Sequence, residues 1–536
     1  MTAETTDRIT CAKAVLNGLV DHGIDTVFGI PGIHTLDLYR ELRQTSLRHV
    51  AVRHEQGAAF MADGFARVAG RPAGCLLITG PGLLNAATAI GQAYSDSVPM
   101  MVVTTVNARR DLGLGRGEIH EVKDQRRAME GVVDSVITLN DPEEAGTALD
   151  LSFARMGPRR PRPTVLELPL DVAAAEVAPR PASARSIPRP GLAPETLAAF
   201  VARLRRAERP FFILGGGAGG AEAEVRRLVE LLGAPAVSTT AGKGVVAENG
   251  PFALGSFLGQ EPVNAVMNGA DLVVAIGTEL AFLDHFNRPL EIKPELIRID
   301  LDPDVLVRDH PPALALLADA GTALGQALAA LEPEAPRAPW HPETAALRES
   351  LRDDFRSRRP EFCAYLDALR VALDDEAAIF SDMTQLAYTG NRYFEARRAA
   401  TWLHPVGFGT LGYALPAAIG GKLADPARQV IALAGDYGLG FTVQELGTAV
   451  EQKLPLPVLV WNNKLLGAID FHMRRQDIPP QAVALQPPEL PALAQAYGCD
   501  HALLDRPEDM APVLAEAFDA KGPTLIEIRF DGSYES

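Results

Sequence analysis

The sequence has little that could build a covalent or thiolate-held scaffold. Its four cysteines, Cys11, Cys75, Cys363 and Cys499, lie far apart and none stands in a Cys-x-x-Cys pair. That spacing excludes a disulfide framework and a zinc knuckle. Aromatic residues are scarce at 6%, yet apolar residues reach 47%, which excludes a disordered chain. Basic residues are in deficit: 51 Lys and Arg against 68 Asp and Glu leave a net charge of −17. Such a surface repels nucleic acid and anionic lipid, so neither is an expected partner. The two arginine clusters, Arg159, Arg160 and Arg162, and Arg203, Arg205, Arg206 and Arg209, read as solvated faces. No apolar run is long enough to span a membrane. The polar stretch Met1–Asp7 lacks the apolar centre of a signal peptide. These deficits predict a cytoplasmic globular protein in which any anionic ligand needs a local site.

What is present is a regular alternation. Short apolar runs such as Asp25–Ile30, His49–Val52, Gly74–Thr79 and Met100–Thr105 alternate with amphipathic helical runs. The same alternation recurs around Phe211–Leu214, Leu272–Ile276 and Leu296–Asp300, and again around Ala378–Ser381, Gln429–Ala434, Pro457–Trp461 and Thr524–Ile528. Strands that are apolar throughout indicate parallel sheets covered by helices on both faces. Two Pro/Ala-rich stretches, Ala173–Pro194 and Leu331–Pro342, read as linkers. The expected fold is α/β: three doubly wound parallel-sheet domains over residues 1–175, 190–332 and 345–536. No short-period repeat is visible. Ligands in such sheets sit where strands end and loops turn into helices.

The strand Gln429–Ala434 runs into Gly435-Asp436-Tyr437-Gly438 and then the helical run Val443–Gln452. Gly435 permits a tight turn, Asp436 supplies a hard carboxylate oxygen, and a helix start offers N–H groups to phosphate. Asn463 follows Asp436 by 27 positions, at the end of the next strand. A carboxylate, the Asn463 amide oxygen, a backbone carbonyl such as that of Leu465, and phosphate oxygens make most of an oxygen cage suited to Mg²⁺. This Gly-Asp…Asn-Asn spacing resembles the thiamine diphosphate fingerprint of the acetolactate synthase and pyruvate decarboxylase superfamily. One departure stands out: Tyr437 takes the place of the usual Gly or Ala. A left-handed backbone would be costly there, so either the loop is right-handed or the site is altered.

The segment His54–Arg67, HEQGAAFMADGFAR, opens a helix after a short strand. Gly57, Ala58, Ala62 and Gly64 would let that helix pack closely. A carboxylate at a helix start is ordinary dipole compensation. The segment is also similar to the one that carries the family's activating glutamate, and Glu55 matches that residue. By this resemblance Glu55 would bond N1' of the aminopyrimidine and promote the imino form that takes the C2 proton. The resemblance extends to Gly29–Gly32, with Pro31 and Gly32, and to Gly80–Asn85, with Asn85. It extends further to Gly409–Gly412, where Gly409 and the wedge residue Leu411 would touch the cofactor. Gln385, Gly435, Tyr437, Gly438 and Gly467 complete the implied cofactor contacts, and Asp436, Asn463 and Leu465 the implied metal set. Family architecture implies self-association as a dimer or tetramer, with each site shared between subunits.

The middle segment carries Gly215–Gly220 after a strand, a weak dinucleotide signal, and FAD is not expected there. Phe28–Tyr39, Ile119–Glu121, Ser381–Asn391 and Trp402–Pro405 resemble bacterial 5-guanidino-2-oxopentanoate decarboxylases. The aromatic–glutamine pair of acetolactate synthases is missing near Ile119-His120. His120 would then serve as an acid/base after decarboxylation, or simply as a hydrogen-bonded loop residue. A guanidinium calls for a bidentate carboxylate, for which Asp382, Asp284 and Asp470 are available. The function expected is non-oxidative decarboxylation of a 2-oxo acid. Two alternatives stay open: a carboligase of the acetolactate synthase type, and a non-catalytic nucleotide-binding or regulatory homologue.

Overall fold

The computed structural model describes residues 8–180, 187–285, 288–331, 334–484 and 486–531. Met1–Asp7 and parts of both proline-rich stretches, 181–186 and 332–333, lie outside the described residues. Three parallel sheets carry the fold, as the apolar strand runs predict. The first orders its strands Arg48–Ala51, Thr26–Gly29, Ala73–Leu77, Met100–Val106, Thr164–Pro169 and Ser135–Thr138. The third orders its strands Trp402–Leu403, Ala378–Ser381, Val430–Gly435, Pro457–Asn462, Thr524–Arg529 and Asp500–Leu503. Numbered along their own segments, both follow the same order, 2-1-3-4-6-5. The middle sheet has five strands in the order 2-1-3-4-5. A fourth, two-stranded antiparallel ribbon pairs Ile9–Thr10 with Glu176–Val177.

The strand order reverses between the first and third strands of each large sheet. Those reversals open the crevices in which doubly wound sheets bind ligands. In the first sheet the crevice receives the loops after Gly29 and Leu77. In the third it receives the loops after Ser381 and Gly435. Every segment singled out for the cofactor follows one of these strands or an adjoining one.

The first and third domains share one apolar core within the chain. Its centre is the crossing of helices Glu55–Ala69 and Ala414–Ala424. A Cβ on Gly64 would stand 1.9 Å from the carbonyl oxygen of Ala417, and one on Gly420 would stand 1.9 Å from that of Met61. The small residues of the Glu55 segment therefore do what their size predicts, bringing two backbones into contact. Of the two arginine clusters, Arg159, Arg205, Arg206 and Arg209 are exposed as expected, whereas Arg160 and Arg162 are not. Arg160 pairs with Glu279 and Arg162 with Asp302, tying the first domain to the middle one, and Arg162 lies 4.0 Å from the Tyr94 ring centroid. Arg203 and Arg206 share Glu295, and Arg205 pairs with Glu334.

Candidate active site

One half of the site stands at the crevice of the first sheet. Glu55 is the first residue of its helix, and His54 caps that helix by accepting from Gln56 N at 3.1 Å. Glu55 Oε2 accepts from Asn85 Nδ2 at 3.0 Å. A Cβ on Gly82 would lie 3.3 Å from Glu55 Oε1, so the start of the helix Pro81–Ser95, not a loop, stands close against the carboxylate. Gly32 caps the short turn Ile33–Thr35 and donates its N–H to Thr35 Oγ1. Pro31 and Asn85 are exposed, whereas Gly32, Glu55 and His120 are half-buried.

His120 joins this group through strain. Its φ is +61°, an uncommon conformation for a residue with a Cβ, and such strain collects at functional sites. Its carbonyl presses on Gly80, itself at φ +64°, where a Cβ would be only 2.3 Å away. The His34 ring stands edge-on to the His120 ring, with centroids 5.2 Å apart. His34 is buried and its Nδ1 bonds Thr79 Oγ1 at 2.9 Å, while Thr79 donates to Thr105 Oγ1. Burial, reinforced by the neighbouring His120, holds the His34 imidazole below its ordinary range, hence neutral at physiological pH. Sequence reasoning passed over His34, which reads as one polar residue in a turn.

The other half stands at the crevice of the third sheet. Asp436 Oδ1 accepts from Tyr437 N at 2.9 Å, and Oδ2 accepts from Lys464 N at 2.7 Å. Asn463 Nδ2 donates to Gln385 Oε1 at 2.8 Å, which directs Oδ1 the other way, toward Leu465 N at 3.1 Å. Trp461 Nε1 also donates to Gln385 Oε1, so Gln385 sets the orientation of Asn463. Gly467 must be small, because a Cβ would meet Gln385 Nε2 at 2.5 Å. Burial raises the Asp436 carboxyl above the usual range, against the pull of its two backbone donors.

Two local expectations change here. The helix after the strand begins at Asp436 itself and runs to Thr442, ahead of the run Val443–Gln452. Gly435 is extended, at φ −85° and ψ 161°, and caps that helix without a left-handed turn. Its smallness meets a different need: a Cβ would stand 3.0 Å from Thr384 Oγ1. Tyr437 consequently lies in the first turn of a right-handed helix, with its ring against Phe441. The backbone objection to this tyrosine falls, and with it the best ground for a non-catalytic reading.

Leu411 is half-buried in a segment with two left-handed glycines, Gly409 at φ +68° and Gly412 at φ +83°. Asp382 lies beneath this segment. It accepts from Met383 N and from Gly412 N, and burial pushes its carboxyl up to about 6. A Cβ on Gly438 would meet Asp382 Oδ2 at 2.6 Å, so this buried carboxylate braces both the Leu411 segment and the helix Asp436–Thr442.

A metal is tested by the donors on offer. Asp436 carboxylate, Asn463 Oδ1 and the Leu465 carbonyl are all hard oxygens, and those of Asp436 and Asn463 keep lone pairs beyond the bonds they accept. No group of three or more His, Cys, Asp and Glu side chains placed to hold a metal ion by themselves occurs among the described residues. The set therefore suits a cation that completes its shell with phosphate and water, as Mg²⁺ does, better than a zinc-type cage.

The chain matches three parts of one family along its length. Residues 9–128 match the thiamine pyrophosphate enzyme N-terminal TPP binding domain. Residues 197–328 match the central domain, and residues 382–528 the C-terminal TPP binding domain. A probable 2-ketoarginine decarboxylase of Pseudomonas aeruginosa is 44% identical over 529 residues, covering 97% of this chain and 94% of that protein. The chain belongs to the thiamine pyrophosphate enzyme family. Acetolactate synthase isozyme 1 large subunit of Escherichia coli is 32% identical over 549 residues, with 99% and 95% of the two chains covered. Isozyme 3 of the same organism is 29% identical, with 98% and 96% covered.

Within this thiamine pyrophosphate enzyme the three carboxylates considered for a guanidinium fall in different places. Asp382 is sealed under backbone donors. Asp284 belongs to the middle domain, where it accepts from Ala281 N. Asp470 lies one turn into the helix that starts at Gly467, and it already grips a guanidinium: Arg474 Nε and Nη2 reach its two oxygens at 2.8 and 3.1 Å. In the middle domain, a Cβ on Gly215 would meet the Gly277 carbonyl oxygen at 2.2 Å. Glu445 is a further residue the sequence did not reveal. It is buried in the third domain and accepts from His54 N at 3.0 Å, seating the helix that begins with Glu55.

Proposed function

We propose that this enzyme decarboxylates 5-guanidino-2-oxopentanoate to CO₂ and 4-guanidinobutanal, using thiamine diphosphate and Mg²⁺. The observation that carries the reading is His120, a strained histidine in the loop that meets Gly80, where acetolactate synthases carry an aromatic–glutamine pair. Whole-length similarity to a probable 2-ketoarginine decarboxylase supports the substrate class.

When bound, thiamine diphosphate supplies the electron sink for the pair of electrons left behind by CO₂. Asp436, Asn463 Oδ1 and the Leu465 carbonyl hold the metal, with Gln385 keeping Asn463 turned toward it. Gly435, Tyr437, Gly438 and Gly467 shape the diphosphate end. Gly409 and Leu411 support the ring system, and Pro31, Gly32 and Asn85 line the aminopyrimidine side. Glu55 holds a proton at the aminopyrimidine N1'. His120 delivers a proton to the product carbon, beside a neutral His34 that does not compete for it.

We further infer self-association, as a dimer or tetramer, that seats the Glu55 face of one copy on the Asp436 face of another. Exposed apolar side chains rim both faces: Ile33, Leu84 and Ile119 on the first, and Phe408, Phe441 and Ile469 on the second. Exposed apolar side chains mark an interaction surface where they gather into one patch. The domain limits 1–175, 190–332 and 345–536 belong to the same reading, since the three parallel sheets and the family matches fall inside them, while the ribbon strand Glu176–Val177 lies just past the first. The close contact of Gly215 with Gly277 supports a packing role for the glycine turn of the middle domain, in place of FAD. Four free thiols support a cytoplasmic location.

Asp470 is the proposed seat of the substrate guanidinium, which would displace Arg474. Asp470→Asn is expected to lower kcat/KM for the guanidino acid roughly tenfold to a hundredfold, the worth of a charge-assisted bidentate pair. Decarboxylation of a neutral 2-oxo acid of equal length should stay unchanged. Equal losses on both substrates would remove Asp470 from this role. The competing carboligase reading, favoured by the acetolactate synthase relatives, is separated by product analysis.

A further inference from the structure

The Glu55 helix carries a second half, Asp63 to Arg67, that the cofactor chemistry does not use. Asp63 is fully buried, and its Oδ1 accepts from Tyr413 OH at 2.7 Å and from Arg67 Nε at 2.6 Å. Arg67 Nη2 continues to Asp96 Oδ2 at 2.8 Å, and Asp96 Oδ1 accepts from Gly407 N at 2.8 Å. A closed chain thus runs from Gly407 through Asp96, Arg67 and Asp63 to Tyr413. It crosses from the first domain to the third and grips one segment at two points.

That segment has no helix or strand of its own between those points. It carries Gly409 and Leu411, with left-handed backbone at Gly409 and Gly412. One local bond, Gly409 N to the Pro405 carbonyl at 3.2 Å, and the Gly412 N bond to Asp382 act within it, and bonds at its two ends complete the path. The fit at Gly407 is close: a Cβ would stand 2.4 Å from Ser95 Oγ and 2.8 Å from Asp96 Oδ1. Apolar packing already joins the two domains, for instance Phe60 edge-on to the Tyr413 ring at 5.5 Å. A buried ion pair adds little net stability over apolar packing, and its best-attested use is to specify one arrangement. Here the arrangement specified is the path of the main chain at Gly407.

We propose that Asp96, acting through Arg67 and Asp63, is a positioning residue that holds the Gly407–Tyr413 segment in the shape its cofactor contacts require. The helix Glu55–Ala69 then sets two things at once: the carboxylate at its start and, from its middle, the loop of Leu411. The proposal rests on the reading that Leu411 supports the cofactor.

The test is hydrogen exchange on the full-length protein without cofactor, paired with calorimetry of thiamine diphosphate and Mg²⁺. Asp96→Ala should speed exchange in peptides covering 404–413 roughly tenfold or more, while strand Val430–Gly435 keeps its protection. Cofactor affinity should fall by a similar factor. Asp96→Asn keeps an acceptor for Gly407 N–H and should recover part of both effects. Tyr413→Phe releases the other anchor and should loosen the same peptides, which covers the case in which Asp96→Ala does not fold. Unchanged exchange over 404–413 in Asp96→Ala and Tyr413→Phe overturns the proposal, as does loss of protection spread evenly over the chain. A wild-type protein that binds no cofactor fails at an earlier step and removes the underlying reading as well.

Discussion

Glu55→Gln is expected to leave a folded protein that binds thiamine diphosphate and turns over substrate on the order of 10²- to 10⁴-fold more slowly. The substitution is nearly isosteric. Gln can still accept from Asn85 Nδ2, which now reaches Glu55 Oε2 at 3.0 Å. His54 still caps the helix, and Glu445 still seats His54 N. What is lost is the ionisable carboxyl, with its charge and its transferable proton. Melting temperature and cofactor affinity should therefore stay near wild type while kcat falls. A variant with an unchanged kcat would take Glu55 out of the chemistry.

Asp436→Ala is expected to abolish metal-dependent binding of the cofactor, with apparent affinity down at least on the order of a hundredfold. Asp436 is the lone carboxylate of the proposed oxygen set. Its removal takes the charge that draws the cation and strands two backbone donors, Tyr437 N and Lys464 N. Asp436→Asn separates those effects, because an amide oxygen can still accept one of them. Calorimetry with Mg²⁺ present and with the metal chelated reads the difference directly. If cofactor binding in the wild type were indifferent to Mg²⁺, the proposed oxygen cage would be wrong whatever the variant did.

The placement of much of the candidate site was legible because its signals are local. Gly435-Asp436 and Asn463 sit at ends of strongly apolar strands, and the residues around Glu55 are small enough to demand close packing. What the sequence hid was long-range or weakly patterned. Trp402–Leu403 is only two residues long, and Asp500–Leu503 is half-exposed at the sheet edge, so neither reads as a buried strand. The helix Asp436–Thr442 contains two glycines, which argue against it locally, and tertiary packing overrides that preference. Arg160 and Arg162 looked solvated because their partners, Glu279 and Asp302, lie in another domain. His34 acquires its meaning only when His120 comes alongside. The matching 2-1-3-4-6-5 order of the outer sheets needs no shared residues, so no repeat shows along the chain.

The most direct test is a product measurement. Purified protein is incubated with thiamine diphosphate, Mg²⁺ and 5-guanidino-2-oxopentanoate, with pyruvate in a parallel reaction, and both are followed by mass spectrometry. The expected result is 4-guanidinobutanal from the first and little product from the second. Acetolactate from pyruvate, with no aldehyde from the guanidino acid, would contradict it and make the enzyme a carboligase.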